Sequence, residues 1–368
     1  MPTLAEVVRR YGPAYLERFG DRMPAAHKRV LRAIAGCRTG ELGTVVYRCE
    51  DCGRVHVVGR SCGDRHCPSC QREKAESWLA RQADRLLPCP YFLVTFTLPA
   101  ELRPVARGHQ RAVYGALFRA SSESLRALMS DPRHLGAARP GFFGVLHTWG
   151  RALEYHPHVH YVVPGGGLSA GGDRWLASRP GFLVPVKPLS IVFRAKFRDA
   201  MQSEGLLEQI DPSVWRRDWV VHCQPAGDGR PSLRYLAPYV FRVAIGDHRI
   251  VSCDDGQVTF RYRKVGSNRR RQMTLDAMEF LRRLLEHVLP PGFQKVRYYG
   301  FLGPAAGVAL ESVRWLIALW AGLMYVLRSA REESPRDAAE GPRCPACGGR
   351  LVWLGIEPAS GPTVFDTS

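Results

Sequence analysis

Three histidines at alternating positions give the clearest indication of chemistry in this chain. The run that begins at His156 reads His-Pro-His-Val-His-Tyr-Val-Val. Alternate residues of a β-strand face the same side, so His158 and His160 would project together and could share one divalent cation. His147, eleven residues before His158, is the preferred third ligand, because an intervening loop could bring it alongside. His156 is also in phase, but the proline after it weakens that alternative.

This ligand set also indicates which metal would bind. Imidazoles alone suit zinc or another transition metal, but here coordination positions would stay open. A substrate phosphate could complete the shell of Mg²⁺ or Mn²⁺, and the ion would then polarise the phosphorus. The histidine run therefore predicts a catalytic divalent metal that acts on a phosphate ester.

Two tyrosines further along the chain could supply a nucleophile. Tyr235 and Tyr239 would lie on one face of a helix, and a phenol can attack phosphorus to form a phosphotyrosine ester. Aromatic packing is the usual reason for such spacing, but a phosphate-polarising metal site in the same chain favours the catalytic interpretation. Pro238 lacks an amide hydrogen and would clash with the carbonyl of Arg234, which disturbs a regular helix.

Most of the 11 cysteines fall in C-x-x-C pairs, which indicate metal sites rather than disulfides in a reducing cytoplasm. Two pairs separated by 14 residues predict a tetrahedral shell for one structural zinc, formed by Cys49, Cys52, Cys67 and Cys70. A possible second zinc would use Cys37, Cys62 and His66, with His27 or His56 as fourth ligands that lack spacing support. The knuckle of Cys344 and Cys347 would bind zinc with a distant partner or simply form a turn.

The charge of the chain points to a polyanionic partner. It has 52 Lys and Arg against 34 Asp and Glu, a formal charge of +18, and phosphate neutralisation dominates nucleic-acid affinity. Basic residues among aromatics suit single-stranded nucleic acid, and the candidate contacts are Arg242, Arg269, Arg270, Arg271, Lys295 and Arg297. The apolar run from Trp315 to Leu327 falls short of the roughly 20 residues that span a bilayer. We therefore expect a buried helix there and no membrane association, and the paired cysteines indicate a cytoplasmic location.

The elements that would position these residues predict an α+β fold with a mainly antiparallel sheet, because long helices mix with strands without strict βαβ alternation. Strands are expected at 91–98, 141–148, 158–163 and 218–224, and helices at 72–87, 104–129 and 273–289, the last capped by Thr274. Composition divides the chain into a helical and zinc-binding domain at 1–87, a domain that mixes strands and helices at 88–331, and a linker with the last knuckle at 332–368.

Several motifs, in this order, resemble the rolling-circle transposases of the HUH superfamily, specifically the insertion-sequence ninety-one family. They are Cys-Arg-Thr at 37–39, the cysteine block at 61–70, the strand at 91–99, the histidine run with Pro-Gly-Gly-Gly-Leu at 164–168, the tyrosine segment at 235–245, Arg-Tyr-Tyr-Gly-Phe at 297–301 and the knuckle at 344–347. The resemblance spans most of the chain.

The resemblance implies a zinc-ribbon-like module within the N-terminal domain at 1–87 and an HUH nuclease domain at 88–331, whose central antiparallel sheet is flanked by helices. His158 and His160 would be the metal pair, and Tyr235 and Tyr239 the nucleophiles. The activity would be nicking of single-stranded element ends, with a 5′-phosphotyrosine and a free 3′-hydroxyl, and rejoining at target DNA without a nucleotide cofactor. Two places depart from the family pattern: Pro238 replaces a basic residue, and Gly-Asp at 246–247 replaces Ser-Asn.

Three other functions compete with transposition. A plasmid replication initiator or a conjugative relaxase would use the same chemistry. A non-catalytic zinc protein that binds DNA would need the cysteines and the basic segments, but neither the histidines nor the tyrosines. A histidine-metal hydrolase of small molecules fits poorly with the charge and with the lack of a clear catalytic carboxylate pair.

Overall fold

The computed structural model describes residues 2–241, 244–263, 269–322 and 341–359, without the side chains of 72–73, 237–239 and 241, and these residues form a mixed α+β structure. The helices are α1 (Leu4–Phe19), α2 (Ala25–Ala35), α3 (Pro68–Asp84), α4 (Arg103–Gly108), α5 (Gln110–Ser130), α6 (Val186–Ser203), α7 (Arg230–Phe241), α8 (Ala277–Leu285) and α9 (Leu310–Trp320). The strands are β1 (Thr44–Cys49), β2 (Val55–Gly59), β3 (Tyr91–Thr97), β4 (Arg139–Trp149), β5 (Tyr155–Pro164), β6 (Gly166–Leu168), β7 (Trp175–Ala177), β8 (Val221–Pro225), β9 (Ile250–Ser252), β10 (Gln257–Arg263), β11 (Arg270–Asp276), β12 (Val296–Gly300) and β13 (Leu351–Glu357).

The described residues divide into two compact units. The first unit combines 2–71, 245–288 and 341–359, and the second combines 72–241, Ala244 and 289–322. The units interleave along the chain, whereas the sequence predicts three consecutive domains.

The first unit contains α1, α2, α8 and two three-stranded sheets, with strand orders β13-β1-β2 and β11-β10-β9. A capping box starts α1: the Thr3 hydroxyl accepts the amide hydrogen of Glu6, and the Glu6 carboxylate accepts that of Thr3. These bonds satisfy two amides that the first turn leaves open. Helices α1 and α2 confirm the helical character that the sequence predicts for the start of the chain.

The predicted start of the helix at 273–289 is wrong. Residues 270–276 form β11, which pairs with β10, and α8 begins only at Ala277. Asp276 caps it by accepting the amides of Met278 and Glu279 at 2.9 and 3.3 Å, whereas Thr274 hydrogen-bonds across the strands to Thr259. The apolar pattern of residues 273–289 could not predict this strand, because its partner β10 lies outside those residues.

The second unit is built on a seven-stranded antiparallel sheet of order β7-β6-β4-β5-β3-β8, with β12 paired to β4. The strands predicted around 91–98, 141–148, 158–163 and 218–224 are therefore confirmed, with small shifts at their ends. The 91–98 strand is rich in β-branched and aromatic residues, which fit a pleated, buried surface.

Both faces of this sheet are covered, because side chains of each strand alternate between two cores. Val159 and Tyr161 of β5 belong to one core together with Phe118 of α5. Val162, one residue further, belongs to the other core, which includes Leu233 of α7. His158 and His160 are in phase with Val162, so the histidines lie on the face that α7 covers.

The apolar segment near residue 315 forms the amphipathic helix α9, which buries Val313 and Ile317 and exposes Trp315 and Trp320. The rest of the predicted run, from 323 onward, lies outside the described residues. Among the helices described, none has the length and apolar character needed to cross a membrane.

Candidate functional site

Three histidines meet on the covered face of the second unit's sheet. His147 of β4 lies directly opposite His158 of β5, and His160 follows two residues later on the same strand. Their candidate ligand nitrogens all lie within 4.8 Å of one another, and all three side chains are buried. The structure thus brings together the three predicted ligands. It leaves His156 out of the group, with its Nδ1 3.2 Å from Arg103.

Hydrogen bonds to the far side of two rings point their other nitrogens toward a shared centre. Nδ1 of His158 donates to the carbonyl oxygen of His156 at 2.7 Å, and Nδ1 of His160 lies 2.7 Å from the hydroxyl of Thr95. Such partners fix the orientation and tautomer of a metal ligand. Nε2 of His160 is buried and has no hydrogen-bond partner among the described residues. This donor set fits a divalent cation.

Burial also keeps the three rings neutral, which is the form that binds metal. It lowers the pKa of His158 to about 4. Burial lowers the pKa of His147 well below its usual range, and the neighbouring His160 and His158 lower it further. The pKa of His160 is lowered well below its usual range by burial and then by His158. At neutral pH each ring therefore has a lone pair available.

Tyr235 lies beside this centre. Its ring centroid is 5.6 Å from that of His160, the two rings are perpendicular, and 45% of the residue is exposed. Buried Leu233 and Leu236 anchor the first half of α7 in the core. Tyr239 lies one turn later on the same helix, which continues through position 238, but its side chain is outside the described atoms.

The predicted basic contacts have different surroundings. Lys295 lies near the histidines, with its amine 4.7 Å from the ring of Trp149, which stacks on His147. The guanidinium of Arg297 is 4.4 Å from the ring of Phe118. Three others are exposed on or beside β11 in the first unit, namely Arg269, Arg270 and Arg271. Arg242 lies outside the described residues.

Sequence reasoning missed Thr95. Its strand β3 was expected, and its register opposite His160 follows only from the pairing of β3 with β5. An alternation signal was nevertheless present, because Thr95 and Thr97 are the polar members of an otherwise apolar strand. At this position in β3 the hydroxyl faces His160 of the neighbouring strand and can orient its ring.

Eight cysteines of the first unit form two groups of four, each with all sulfurs within 4.8 Å. The first group is Cys37, Cys62, Cys67 and Cys70, and the second is Cys49, Cys52, Cys344 and Cys347. In the first group the Sγ atoms of Cys37 and Cys70 are 3.4 Å apart, those of Cys62 and Cys70 are 3.5 Å apart, and those of Cys67 and Cys37 are 3.6 Å apart. Four thiolates in such groups form the preferred shell of structural zinc.

The predicted shell of Cys49, Cys52, Cys67 and Cys70 is therefore corrected. The C-x-x-C pairs were recognised, but the structure places them in different groups, because β13 brings a third pair next to β1. His66 is not in either group: its Nδ1 lies 2.8 Å from the carboxylate of Asp64. Two alternatives were open for Cys344 and Cys347, a metal site with a distant partner or a simple turn. The structure has the first arrangement, with Cys49 and Cys52 as the distant partner. His56 lies at the edge of that group, 3.3 Å from the sulfur of Cys344, and His27 is in neither.

Comparisons with known proteins give two family matches along the chain. Residues 7–98 match the family described as "Transposase zinc-binding domain", and residues 141–307 match the family described as "Putative transposase". The first range contains one complete cysteine group, and the second contains the three histidines and Tyr235. No solved structure matches the chain.

Two curated relatives cover most of the chain. It is 43% identical over 322 residues to "Putative transposase y4qJ" of Sinorhizobium fredii, across 82% of this chain and 80% of the relative. It is 28% identical over 350 residues to the transposase for insertion sequence element IS801 of Pseudomonas savastanoi pv. phaseolicola, across 87% of this chain and 81% of the relative. With both family matches, these relatives show that the chain belongs to the transposases of the insertion-sequence ninety-one family and carries their zinc-binding domain.

Proposed function

We propose that this transposase nicks and rejoins single-stranded DNA through a 5′-phosphotyrosine intermediate, as in rolling-circle transposition. Tyr235 and Tyr239 are the nucleophiles, and His147, His158 and His160 hold a divalent metal. The observation that carries the proposal is the ring of Tyr235, 5.6 Å from that of His160 at the edge of a buried histidine trio. A packing tyrosine would not need three metal-ligating groups beside it.

The chemistry follows from the groups at this place. The phenol of Tyr235 gives up its proton to solvent as its oxygen attacks the phosphorus, a P–Oη bond forms, and the P–O3′ bond breaks. The leaving oxygen takes up a proton and becomes a free 3′-hydroxyl, while the 5′ side stays attached to the protein. A bound Mg²⁺ or Mn²⁺ would polarise the phosphate and stabilise its developing charge. Attack by a 3′-hydroxyl on the phosphotyrosine reverses the step, so rejoining needs no nucleotide cofactor.

Tyr239 would serve as the second nucleophile. One phenol is consumed by the first phosphotyrosine bond, and a strand transfer needs a second transesterification while that ester persists. Residues four apart on a helix lie on one face, and α7 spans both positions. The two phenols could therefore act in turn at one metal.

The arrangement also supports assignment of the second unit to the HUH nuclease fold. A central antiparallel sheet with helices on both faces carries the histidines on two neighbouring inner strands, β4 and β5. The tyrosine helix lies on the same face as these histidines. We propose this fold on that arrangement and on the family match.

A non-catalytic DNA-binding protein is a weaker candidate, because it would not need the buried histidines. A replication initiator or relaxase would share the site, but the family to which the chain belongs favours transposition.

The test is a cleavage assay on single-stranded element ends with Mg²⁺ or Mn²⁺. We expect a covalent protein–DNA adduct and a free 3′-hydroxyl, with the adduct mapped by mass spectrometry to Tyr235 or Tyr239. Tyr235→Phe with Tyr239→Phe should abolish the adduct, because Phe removes only the hydroxyl. Tyr298→Phe, on half-buried β12 of the same unit, is the matched control and should cleave normally. An adduct that persists in the double variant would disprove the assignment.

A further inference from the structure

The second cysteine group joins two parts of the chain that are far apart in sequence. Strand β13 pairs with β1 along its whole length, from Thr44 opposite Glu357 to Cys49 opposite Leu351. With β2 on the other side of β1, the three strands form one small sheet. The ends of β1 and β13 where the cysteines lie are thus held next to each other by backbone hydrogen bonds.

The two knuckles of this group have the same construction. In each, a Cys-x-x-Cys pair is followed by a glycine with positive φ, +69° at Gly53 and +78° at Gly348. The amide of Gly53 donates to the carbonyl of Cys49 at 3.1 Å, and that of Gly348 donates to Cys344 at 2.8 Å. Glycine accepts this left-handed conformation without strain. Two matched turns of this kind present their sulfurs to a common point.

The distances suit an ion and exclude disulfides. The sulfurs of Cys49 and Cys347 are 3.4 Å apart, and those of Cys52 and Cys344 are 3.8 Å apart. A disulfide would require about 2.05 Å. Four thiolates at about 2.3 Å from a tetrahedral zinc lie roughly 3.8 Å from one another. Cys49 and Cys344 are buried, whereas Cys52 and Cys347 are exposed, so the group lies at the surface, where an ion can enter.

We propose that Cys49, Cys52, Cys344 and Cys347 hold a second structural zinc, and that residues 341–359 are therefore an integral part of the zinc-binding module. This site extends the module beyond the 7–98 range of the family match, because half of its ligands come from outside that range. The first zinc binds to Cys37, Cys62, Cys67 and Cys70. Each chain thus carries two zinc ions in separate shells.

Zinc binding at this site depends on Cys344 and Cys347, the two ligands that lie far from Cys49 and Cys52 in the sequence. Cys49 and Cys52 alone supply two thiolates, and His56 adds at most one nitrogen, 3.3 Å from the sulfur of Cys344. Structural zinc takes four protein ligands, so loss of Cys344 and Cys347 leaves an incomplete shell. Metal binding contributes folding energy to small modules. Loss of this ion should therefore also weaken the pairing of β1 with β13.

The test measures zinc per chain in the full-length protein, purified under reducing conditions without added metal. We expect two zinc ions in the unmodified chain, one in Cys344→Ser with Cys347→Ser, and one in Cys62→Ser with Cys70→Ser. Cys89→Ser removes an isolated thiol outside both groups and should keep two. Cys347→His offers a nitrogen ligand in place of the sulfur and should also retain two.

Amide hydrogen exchange gives a second readout. In the Cys344→Ser, Cys347→Ser variant, amides of β1 that bond to β13 should exchange faster, while those of β4 and β5 in the other unit stay protected. Two zinc ions retained in this double variant, or a single zinc in the unmodified chain, would overturn the proposal. A variant that misfolds throughout would lose protection in β4 and β5 as well, and the Cys347→His variant then decides between the outcomes by its zinc content.

Discussion

The hydroxyl of Thr95 orients His160 from the opposite side of the ring. It lies 2.7 Å from Nδ1, and Nε2 of the same ring is buried without a hydrogen-bond partner among the described residues. Removal of such a supporting partner typically costs 10–100-fold in metal affinity or activity. The role is one of positioning, because Thr95 acts through the histidine.

We predict that Thr95→Val raises the Mg²⁺ or Mn²⁺ concentration for half-maximal cleavage by about 10-fold to 100-fold. Valine keeps the shape of the side chain and removes the hydroxyl, and Thr95→Ser should restore the metal dependence of the unmodified protein. His160→Ala is the reference for complete loss of cleavage. Affinity for single-stranded DNA, measured without metal, should stay the same in all three. An unchanged metal dependence in Thr95→Val would contradict the positioning role.

At the scale of single residues, the sequence predicted much of this site. Strand periodicity alone placed His158 and His160 on one face, and the short loop to His147 allowed a third ligand. The position of Thr95 opposite His160 and the grouping of the cysteines were not predictable, since both depend on which strands become neighbours. The role of Tyr239 stays a prediction.

Among the elements, α8 shows how a distant partner changes local structure. Residues 273–276 fit the apolar periodicity of the helix that follows, but they pair with β10 instead, opposite residues 257–260. The cap consequently moves from Thr274 to Asp276, whose carboxylate accepts two amides of the first turn. Local propensity is outweighed here by the hydrogen bonds of a strand pair.

We predict that Asp276→Ala destabilises the first unit by about 1 kcal/mol, the usual contribution of an N-cap side chain. Asp276→Asn should retain most of this stability, because its amide oxygen still accepts the two bonds. Thr274→Ala removes one exposed contact to Thr259 and should cost less. The measurement is the urea midpoint of the zinc-loaded protein, followed by a probe in the first unit. Equal midpoints for Asp276→Ala and the unmodified chain would argue against the cap.

For the whole molecule, the excess positive charge is concentrated in places such as the strand pair β10 and β11. Arg263 lies opposite Arg270, and Tyr262 lies opposite Arg271. Like charges in directly opposed positions destabilise a strand pair. A phosphate backbone bound there would offset this repulsion, which supports a DNA-binding role for these arginines.

We predict that Arg269→Ala, Arg270→Ala and Arg271→Ala together weaken single-stranded DNA binding and reduce its salt dependence. Each lost phosphate contact lowers the slope of log K against log salt by about 0.7, so the triple variant should lose roughly 2. A control of equal charge change replaces Arg119, Arg133 and Arg282, which pair with Glu204, Asp131 and Glu279. Fluorescence anisotropy across salt concentrations measures both. Equal slopes for the two triple variants would show that β11 does not contact DNA.

Because β1 pairs with β13, this part of the sheet cannot form until residues 351–357 have been synthesised. Cys49 leaves the ribosome roughly 300 residues before its partner strand, which at about 5–20 residues per second corresponds to between about 15 and 60 s. During that time β1 has an open edge and two thiolates of an unfinished shell, while the sheet of β3, β4 and β5, encoded between them, can already form. The group of His147, His158 and His160 would therefore be assembled on the nascent chain before β13 completes the sheet with β1 and β2. A transposase ordered in this way gains its complete zinc-binding module only after the strands that carry its histidines have been translated.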